Sequence, residues 1–188
     1  MGEVLAASQG KSCMSASASS PPPDDPRLQR LWAPWRLDYV VRAASEPRPE
    51  CFICHGLAAN DDPAHLIACR TATAVVVLNK YPYNNGHLLI APQAHKAHPR
   101  DLTQDETLDV QQTLTRLIDV IDGLMQPDGY NIGVNLGRVA GAGLPGHLHW
   151  HLVPRWNGDT NFMPILGEAK VIVQSLDSLL ELLRERLQ

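Results

Sequence analysis

Three histidines, His147, His149 and His151, alternate with single apolar residues in the C-terminal third of the chain. In a β-strand, successive side chains point to opposite faces, so the three imidazoles would share one face of a sheet. Two chemistries use such a set: zinc coordination by a triad of ligands, and nucleophilic catalysis by a neutral imidazole. Three solvated histidines on an outer face are the non-functional alternative.

A glycine-rich loop, residues 141–146, lies directly before the first of these histidines and matches the pattern GxGxxG. The dinucleotide-binding fingerprint requires a strand before the loop and a helix after it. Here the following residues alternate with period two, as in a strand, and Pro145 lies within the loop. The sequence therefore argues against a dinucleotide fold, although the loop amides could still contact a phosphate.

The segment 147–153 resembles the His-φ-His-φ-His-φ-φ motif of the histidine triad (HIT) superfamily of nucleotide hydrolases and transferases. The resemblance extends from Leu31 to about Ile172 and includes the segments 79–87, 131–135 and 154–159. It is greatest for bacterial members related to diadenosine tetraphosphate phosphorylases. This resemblance implies an enzyme that cleaves dinucleoside polyphosphates at the α-phosphate through a nucleotidyl-histidine intermediate, which water or phosphate then resolves.

The resemblance also implies roles for individual residues. The middle histidine of the motif attacks the α-phosphorus and the third contacts phosphate oxygens, so the implied catalytic residues are His147, His149 and His151. The nucleotide-binding residues include a ribose contact, a phosphate cradle and a histidine behind the triad: Asn79, Asn135, Gly141, Ala142, Gly143, His151 and His87.

Gly143 departs from the family pattern, since many members carry Gln, Ser or Thr at this position. A side-chain contact to the phosphate or leaving group is therefore missing. This departure favours an alternative hypothesis, a catalytically idle nucleotide-binding or zinc-stabilised interaction protein.

Cys51 and Cys54 form a C-x-x-C pair, which by itself could be a redox pair, half of a metal site or a coincidence. Some bacterial HIT proteins bind zinc through such a pair, a histidine after the second hairpin strand and the first triad histidine. The ligands implied here are Cys51, Cys54, His95 and His147, with His55 and His98 as competitors. Such a closed set would hold a structural zinc ion, and no organic cofactor is implied. A catalytic zinc ion bound by all three triad histidines is a further alternative.

The elements that position these residues follow from local patterns. Residues 72–78 and 87–91 read as a β-hairpin around a Pro/Asn/Gly turn, and Thr103 with Glu106 forms a capping box that starts a long helix. That helix has an apolar face that includes Leu108, Leu114, Leu117, Ile118, Ile121 and Met125, and it ends before Pro127. Residues 130–135 and 147–153 read as strands and 176–187 as a C-terminal helix. The order predicts an α+β domain built on an antiparallel sheet. The resemblance implies the HIT-like fold, in which an antiparallel meander sheet is combined with a long helix and a C-terminal helix.

Composition limits the remaining possibilities. The 188 residues carry a formal charge of −4 with no run of basic side chains, which disfavours nucleic acid as a partner. We expect a flexible arm over residues 1–27, because it is rich in Ala, Ser, Gly and Pro, and a HIT domain over residues 28–188. No apolar stretch is long enough to span a bilayer and no export signal is evident, so we expect a cytoplasmic protein without a membrane partner. The resemblance implies a homodimer.

Overall fold

The computed structural model describes residues 51–160 and 172–187, so the predicted arm and the predicted domain start at residue 28 lie outside the described residues. The described part has three α-helices and five strands, besides a short 3-10 helix at Pro99–Asp101. In chain order they are α1 (Phe52–Ala59), β1 (Ile67–Arg70), β2 (Ala74–Leu78), β3 (Leu88–Pro92), α2 (Gln104–Met125), β4 (Gly129–Val134), β5 (Trp150–Arg155) and α3 (Leu176–Leu187).

The five strands form one antiparallel sheet in the order β1-β2-β3-β5-β4. The predicted hairpin is confirmed, since β2 pairs with β3 from Ala74 opposite Pro92 to Leu78 opposite Leu88. After the β1–β3 meander, α2 carries the chain to the far edge of the sheet, and β5 returns between β3 and β4. The α+β class, the antiparallel sheet, the long helix and the C-terminal helix are all as predicted.

Helix α2 begins at its predicted capping box. The Thr103 hydroxyl accepts a hydrogen bond from the Glu106 amide, and the Glu106 carboxylate accepts one from the Thr103 amide. The assignment of Leu108 to the apolar face was wrong, because its side chain is 57 % exposed. At 3.6 residues per turn, Leu108 lies about 120° around the helix from the buried Leu114.

Alternation along the strands separates two hydrophobic cores. On one face of the sheet, residues such as Val76, Leu88 and Leu152 pack against α2 and α3. On the other face, Val75, Leu89 and their neighbours pack against α1 and the loop before β5. The second face, away from α2 and α3, also carries His151, which lies opposite Leu89 in the sheet.

Strand β5 begins later than predicted, at Trp150 rather than at His147. Its ladder with β3 spans only Leu88 to Ile90. The ladder stops there because β3 ends at Pro92, which has no amide hydrogen to donate. The Leu148 amide instead donates to the Lys96 carbonyl at 2.6 Å. His147 and His149 therefore precede the regular strand, and the expectation of three histidines in one strand was wrong for these two.

Two elements were not predicted, α1 and β1. Helix α1 is capped by the Cys51 thiol, an unusual N-cap residue, and β1 has four residues with an irregular register against β2. Hydropathy rules out a membrane crossing by any helix within residues 51–160 and 172–187.

Candidate active site

His149 lies just before β5 and is buried, with 6 % of its surface exposed. Its Nδ1 atom lies 2.7 Å from the backbone carbonyl oxygen of His147. A carbonyl oxygen only accepts hydrogen bonds, so Nδ1 carries the ring proton and donates it. In the neutral ring, the lone pair is therefore on Nε2, the atom available for nucleophilic attack.

A chain of hydrogen bonds determines the tautomer of the next histidine. The Tyr83 backbone amide donates to Nδ1 of His87 at 3.0 Å, so Nδ1 is an acceptor and a neutral His87 is protonated at Nε2. This Nε2 lies 2.9 Å from Nδ1 of His151 and donates to it. His151 therefore carries its own proton on Nε2, where it can donate to a phosphate oxygen.

The same surroundings keep His151 uncharged. Burial, together with the electrostatic interaction with His149, lowers the pKa of His151 to about 4. The rings of His149 and His151 have centroids 5.1 Å apart. The site thus places a neutral N–H donor on His151 beside the Nε2 atom of His149.

Two asparagines flank these imidazoles. Asn79, at the end of β2, accepts a hydrogen bond from the Tyr81 amide at 3.0 Å and places its Nδ2 3.2 Å from Nδ1 of His87. Asn135, just after β4, has its amide nitrogen 3.5 Å from Nε2 of His151. The structure thus brings Asn79, Asn135 and His87 together with the two triad residues.

The glycine-rich loop presents fewer free amides than the resemblance implied. The Gly141 amide donates to the Arg138 carbonyl and the Ala142 amide to the Gly137 carbonyl, because the chain turns at Gly141 with a φ of 87°. Among the described residues, only the Gly143 amide of the three has no acceptor. In this conformation the Gly143 amide is therefore the one of the three that could donate to a bound phosphate.

His147 turns away from the other two triad histidines. Its Nε2 donates to the Pro92 carbonyl at 2.8 Å, so Nδ1 is unprotonated and lies 3.1 Å from the Cys51 sulfur and 3.5 Å from the Cys54 sulfur. Burial lowers the pKa of His147, which keeps the ring in its neutral form. Neutral imidazole is the form that ligates metals.

Cys51, Cys54, His95 and His147 form one cluster whose four potential ligand atoms lie within 4.8 Å of one another. Cys51 caps α1 and Cys54 lies one turn further on, where its sulfur is 3.2 Å from Nδ1 of His95. Burial and the neighbouring Cys51 raise the pKa of the Cys54 thiol to about 11. His55 and His98 are not part of this cluster.

The donor set fits a tetrahedral metal ion. Two sulfurs and two imidazole nitrogens around zinc would lie about 3.3–3.8 Å apart, given the usual bond lengths. Three of the six separations between these atoms are already 3.1–3.5 Å, and all six are within 4.8 Å, so the four atoms could close around one ion. All four ligands come from the protein, so such an ion would have no open position for substrate.

Comparison with known proteins supports the resemblance to the histidine triad family. The family model described as HIT domain matches residues 62–158. The chain is 39 % identical over 155 residues to AP-4-A phosphorylase of Mycobacterium tuberculosis (strain H37Rv), covering 80 % of each protein. It is 32 % identical over 90 residues to an asymmetrical bis(5'-nucleosyl)-tetraphosphatase of Schizosaccharomyces pombe, covering 48 % of this chain and 49 % of that protein.

Solved structures agree on the fold. A Zn-bound histidine triad family protein from Mycobacterium smegmatis superposes with a TM-score of 0.58 at 24 % identity, covering 73 % of this chain and 93 % of that one. A diadenosine triphosphate hydrolase from Plasmodium falciparum superposes with a TM-score of 0.56 at 15 % identity, covering 81 % and 96 %. The HIT domain model and the 39 % identical relative confirm the resemblance of the triad motif, and the chain belongs to the HIT family.

Proposed function

We propose that this protein is an enzyme that cleaves dinucleoside polyphosphates such as diadenosine tetraphosphate at the α-phosphorus. The observation that carries the proposal is the hydrogen bond from His149 Nδ1 to the His147 carbonyl, because it directs the lone pair of Nε2 outward as a nucleophile. The 39 % identity to a relative named AP-4-A phosphorylase supports this choice of substrate.

The reaction proceeds in two displacements. His149 Nε2 forms a bond to the α-phosphorus, the bond to the bridging oxygen of the β-phosphate breaks, and ATP leaves from diadenosine tetraphosphate. The proton on Nδ1 stays hydrogen-bonded to the His147 carbonyl, which stabilises the charge that develops on the ring. The acceptor then attacks the phosphorus: phosphate yields ADP and water yields AMP.

Neutral donors stabilise the transition state in this scheme. His151 offers Nε2–H and Gly143 offers its backbone amide to the oxygens on which negative charge increases. Asn79 contacts the ribose, Asn135 completes the phosphate site, and His87 fixes the tautomer of His151 from behind. A compact polyphosphate is thus bound without a basic surface, consistent with the net charge of −4.

The direct test is incubation with diadenosine tetraphosphate, with and without inorganic phosphate, followed by separation of the nucleotide products. ADP and ATP formed only with phosphate identify a phosphorylase, and AMP and ATP formed without it identify a hydrolase. His149→Ala is expected to abolish turnover, whereas His98→Ala, at an exposed histidine outside the site, retains it. Binding without turnover across related nucleotides would instead support an idle binding protein, the function favoured by Gly143.

We also propose that the four-residue cluster holds one structural zinc ion. The ion would join α1, the loop after β3 and the segment before β5, and so fix the His147 backbone that orients His149. Metal analysis of protein purified without added zinc is expected to give about one ion per chain. Cys51→Ser should lose the ion, while Cys69→Ser, at a thiol outside the cluster, keeps it. Full zinc content in Cys51→Ser would contradict this ligand set.

The quaternary proposal is a homodimer. Strand β4 lies at an edge of the sheet, and its Ile132 is 47 % exposed. Pairing two β4 edges would continue the sheet across a two-fold axis and bury exposed parts of α2 such as Leu108. Analytical ultracentrifugation is expected to show a dimer, and Ile132→Lys a monomer. Leu182→Lys, on the exposed side of α3, is the matched control.

A cytoplasmic location, the domain limits and the lack of nucleic-acid and membrane partners stay predictions from the sequence.

A further inference from the structure

The side chain of Tyr83 lies against two histidines of the site, His87 and His151. Its ring lies nearly parallel to that of His151, with an interplanar angle of 17° and a centroid separation of 5.8 Å. It also lies 4.6 Å from the ring of His87. The phenol therefore covers imidazoles that the proposed mechanism uses, and no step of that mechanism accounts for it.

The ring is only partly covered by these contacts. Tyr83 remains 49 % exposed, although one side of it packs on His151 and His87. The exposed surface of an aromatic ring offers a stacking platform for a nucleobase, and this interaction tolerates different bases. Tyr81, two residues earlier, is 78 % exposed and has no aromatic partner among the described residues, so it is a natural comparison.

The order of the site residues indicates which part of a substrate reaches this platform. In the proposed reaction His149 attacks the α-phosphorus; the His151 ring lies 5.1 Å from the His149 ring, and the Tyr83 ring lies 5.8 Å from the His151 ring. In an in-line displacement, the leaving group departs on the side away from the nucleophile. The polyphosphate and its second nucleoside would then pass His151 towards the exposed surface of Tyr83.

We propose that Tyr83 is a specificity-determining residue that stacks on the base of the leaving nucleotide. This inference rests on the proposed function and adds a subsite for the second nucleoside of the substrate. It predicts that the site prefers a dinucleoside polyphosphate to a mononucleotide with the same number of phosphates.

The test compares two substrates that differ only in the second nucleoside, diadenosine tetraphosphate and adenosine 5'-tetraphosphate. Attack at the adenosine-linked phosphorus forms the same intermediate from both, and releases ATP from the first and tripolyphosphate from the second. The quantity measured is the ratio of the two kcat/KM values. Any general effect of a substitution on His151 or on folding cancels in this ratio.

Tyr83→Leu is expected to lower the ratio about tenfold, which corresponds to about 1.4 kcal/mol. Tyr83→Phe keeps the ring and should leave the ratio within about twofold, as should Tyr81→Leu. Tyr83→Gln serves if the leucine variant does not fold. An unchanged ratio in Tyr83→Leu, or an equal fall in Tyr81→Leu, would overturn the inference while the wild-type activity stands. A wild-type protein that cleaves neither substrate would overturn the proposed function as well.

Discussion

Substitution of His87 tests whether a hydrogen bond from behind the site controls the chemistry at its front. His87 is fully buried and donates from Nε2 to Nδ1 of His151 over 2.9 Å. His87→Leu fills most of the volume but removes the donor, so Nδ1 of His151 is left without this partner. His151 can then move its proton to Nδ1 and present a lone pair, instead of N–H, to the phosphate.

The expected loss can be worked out from this contact. A buried nitrogen that loses its hydrogen-bond partner costs about 1–3 kcal/mol. In the His87→Leu variant, His151 can present Nε2–H to the substrate only while its buried Nδ1 lacks a hydrogen-bond donor. If the transition state requires this tautomer, its free energy rises by that amount and kcat/KM falls by roughly 5- to 150-fold. His87→Gln places an amide N–H near the original donor and is expected to retain most of the activity.

The assay combines kinetics on diadenosine tetraphosphate with long-range ¹H–¹⁵N spectra, which report the tautomer of each histidine ring. Wild-type His151 should be protonated at Nε2 and His149 at Nδ1. Wild-type kinetics in a folded His87→Leu protein, or an Nδ1-protonated His151 in the wild type, would refute the reasoning.

Two further predictions concern stability. The pKa of His151 is lowered to about 4 in the folded protein, whereas an unfolded histidine has a pKa of about 6.5. Below pH 6.5 the unfolded chain therefore binds a proton that the folded chain does not, and the free energy of unfolding should fall by up to about 3 kcal/mol as the pH approaches 4. Above pH 6.5 this residue should not change the free energy of unfolding with pH. His151→Phe should remove this part of the pH dependence in chemical denaturation, and identical slopes would count against a buried neutral imidazole. The Asp109 carboxylate accepts hydrogen bonds from the Thr71 hydroxyl and the Thr73 amide and hydroxyl at 2.7–2.8 Å, which ties α2 to the start of β2. Asp109→Ala should lower the free energy of unfolding by about 2–3 kcal/mol in urea, whereas Asp119→Ala, exposed on the same helix, should change it by less than about 0.5 kcal/mol.

The fold was predictable where local chemistry and tertiary packing agree. The capping box at Thr103 and Glu106 fixes the start of α2 through two reciprocal hydrogen bonds, and the β2–β3 hairpin follows from two apolar runs around a turn. Helix α1 was missed because it has only eight residues and is capped by Cys51. A cysteine is not a usual helix N-cap, and the C-x-x-C pattern was interpreted as a possible metal site instead. Leu108 was misassigned because a list of apolar spacings does not say which residues share one side of a helix.

The site was predictable in its residue types but not in its geometry. Alternation suggested three aligned imidazoles, whereas Pro92 ends the ladder early and lets His147 turn towards the cysteines. Tyr83 reaches the site through its backbone amide, which donates to His87, and through the packing of its ring on His87 and His151. Neither interaction leaves a pattern in the sequence. The occupied amides of Gly141 and Ala142 likewise depend on the turn at positive φ, which a glycine permits but does not specify.

Covalent nucleotidyl transfer to His149 is the central claim, and trapping the intermediate tests it most directly. Protein mixed with diadenosine tetraphosphate in the absence of phosphate would be quenched with denaturant at alkaline pH, because the phosphorus–nitrogen bond is labile to acid. Peptide mass spectrometry is then expected to find one adenylyl group on His149, and none in the His149→Ala variant. An adenylyl group on another residue, or rapid turnover with no adduct at any quench time, would contradict the account.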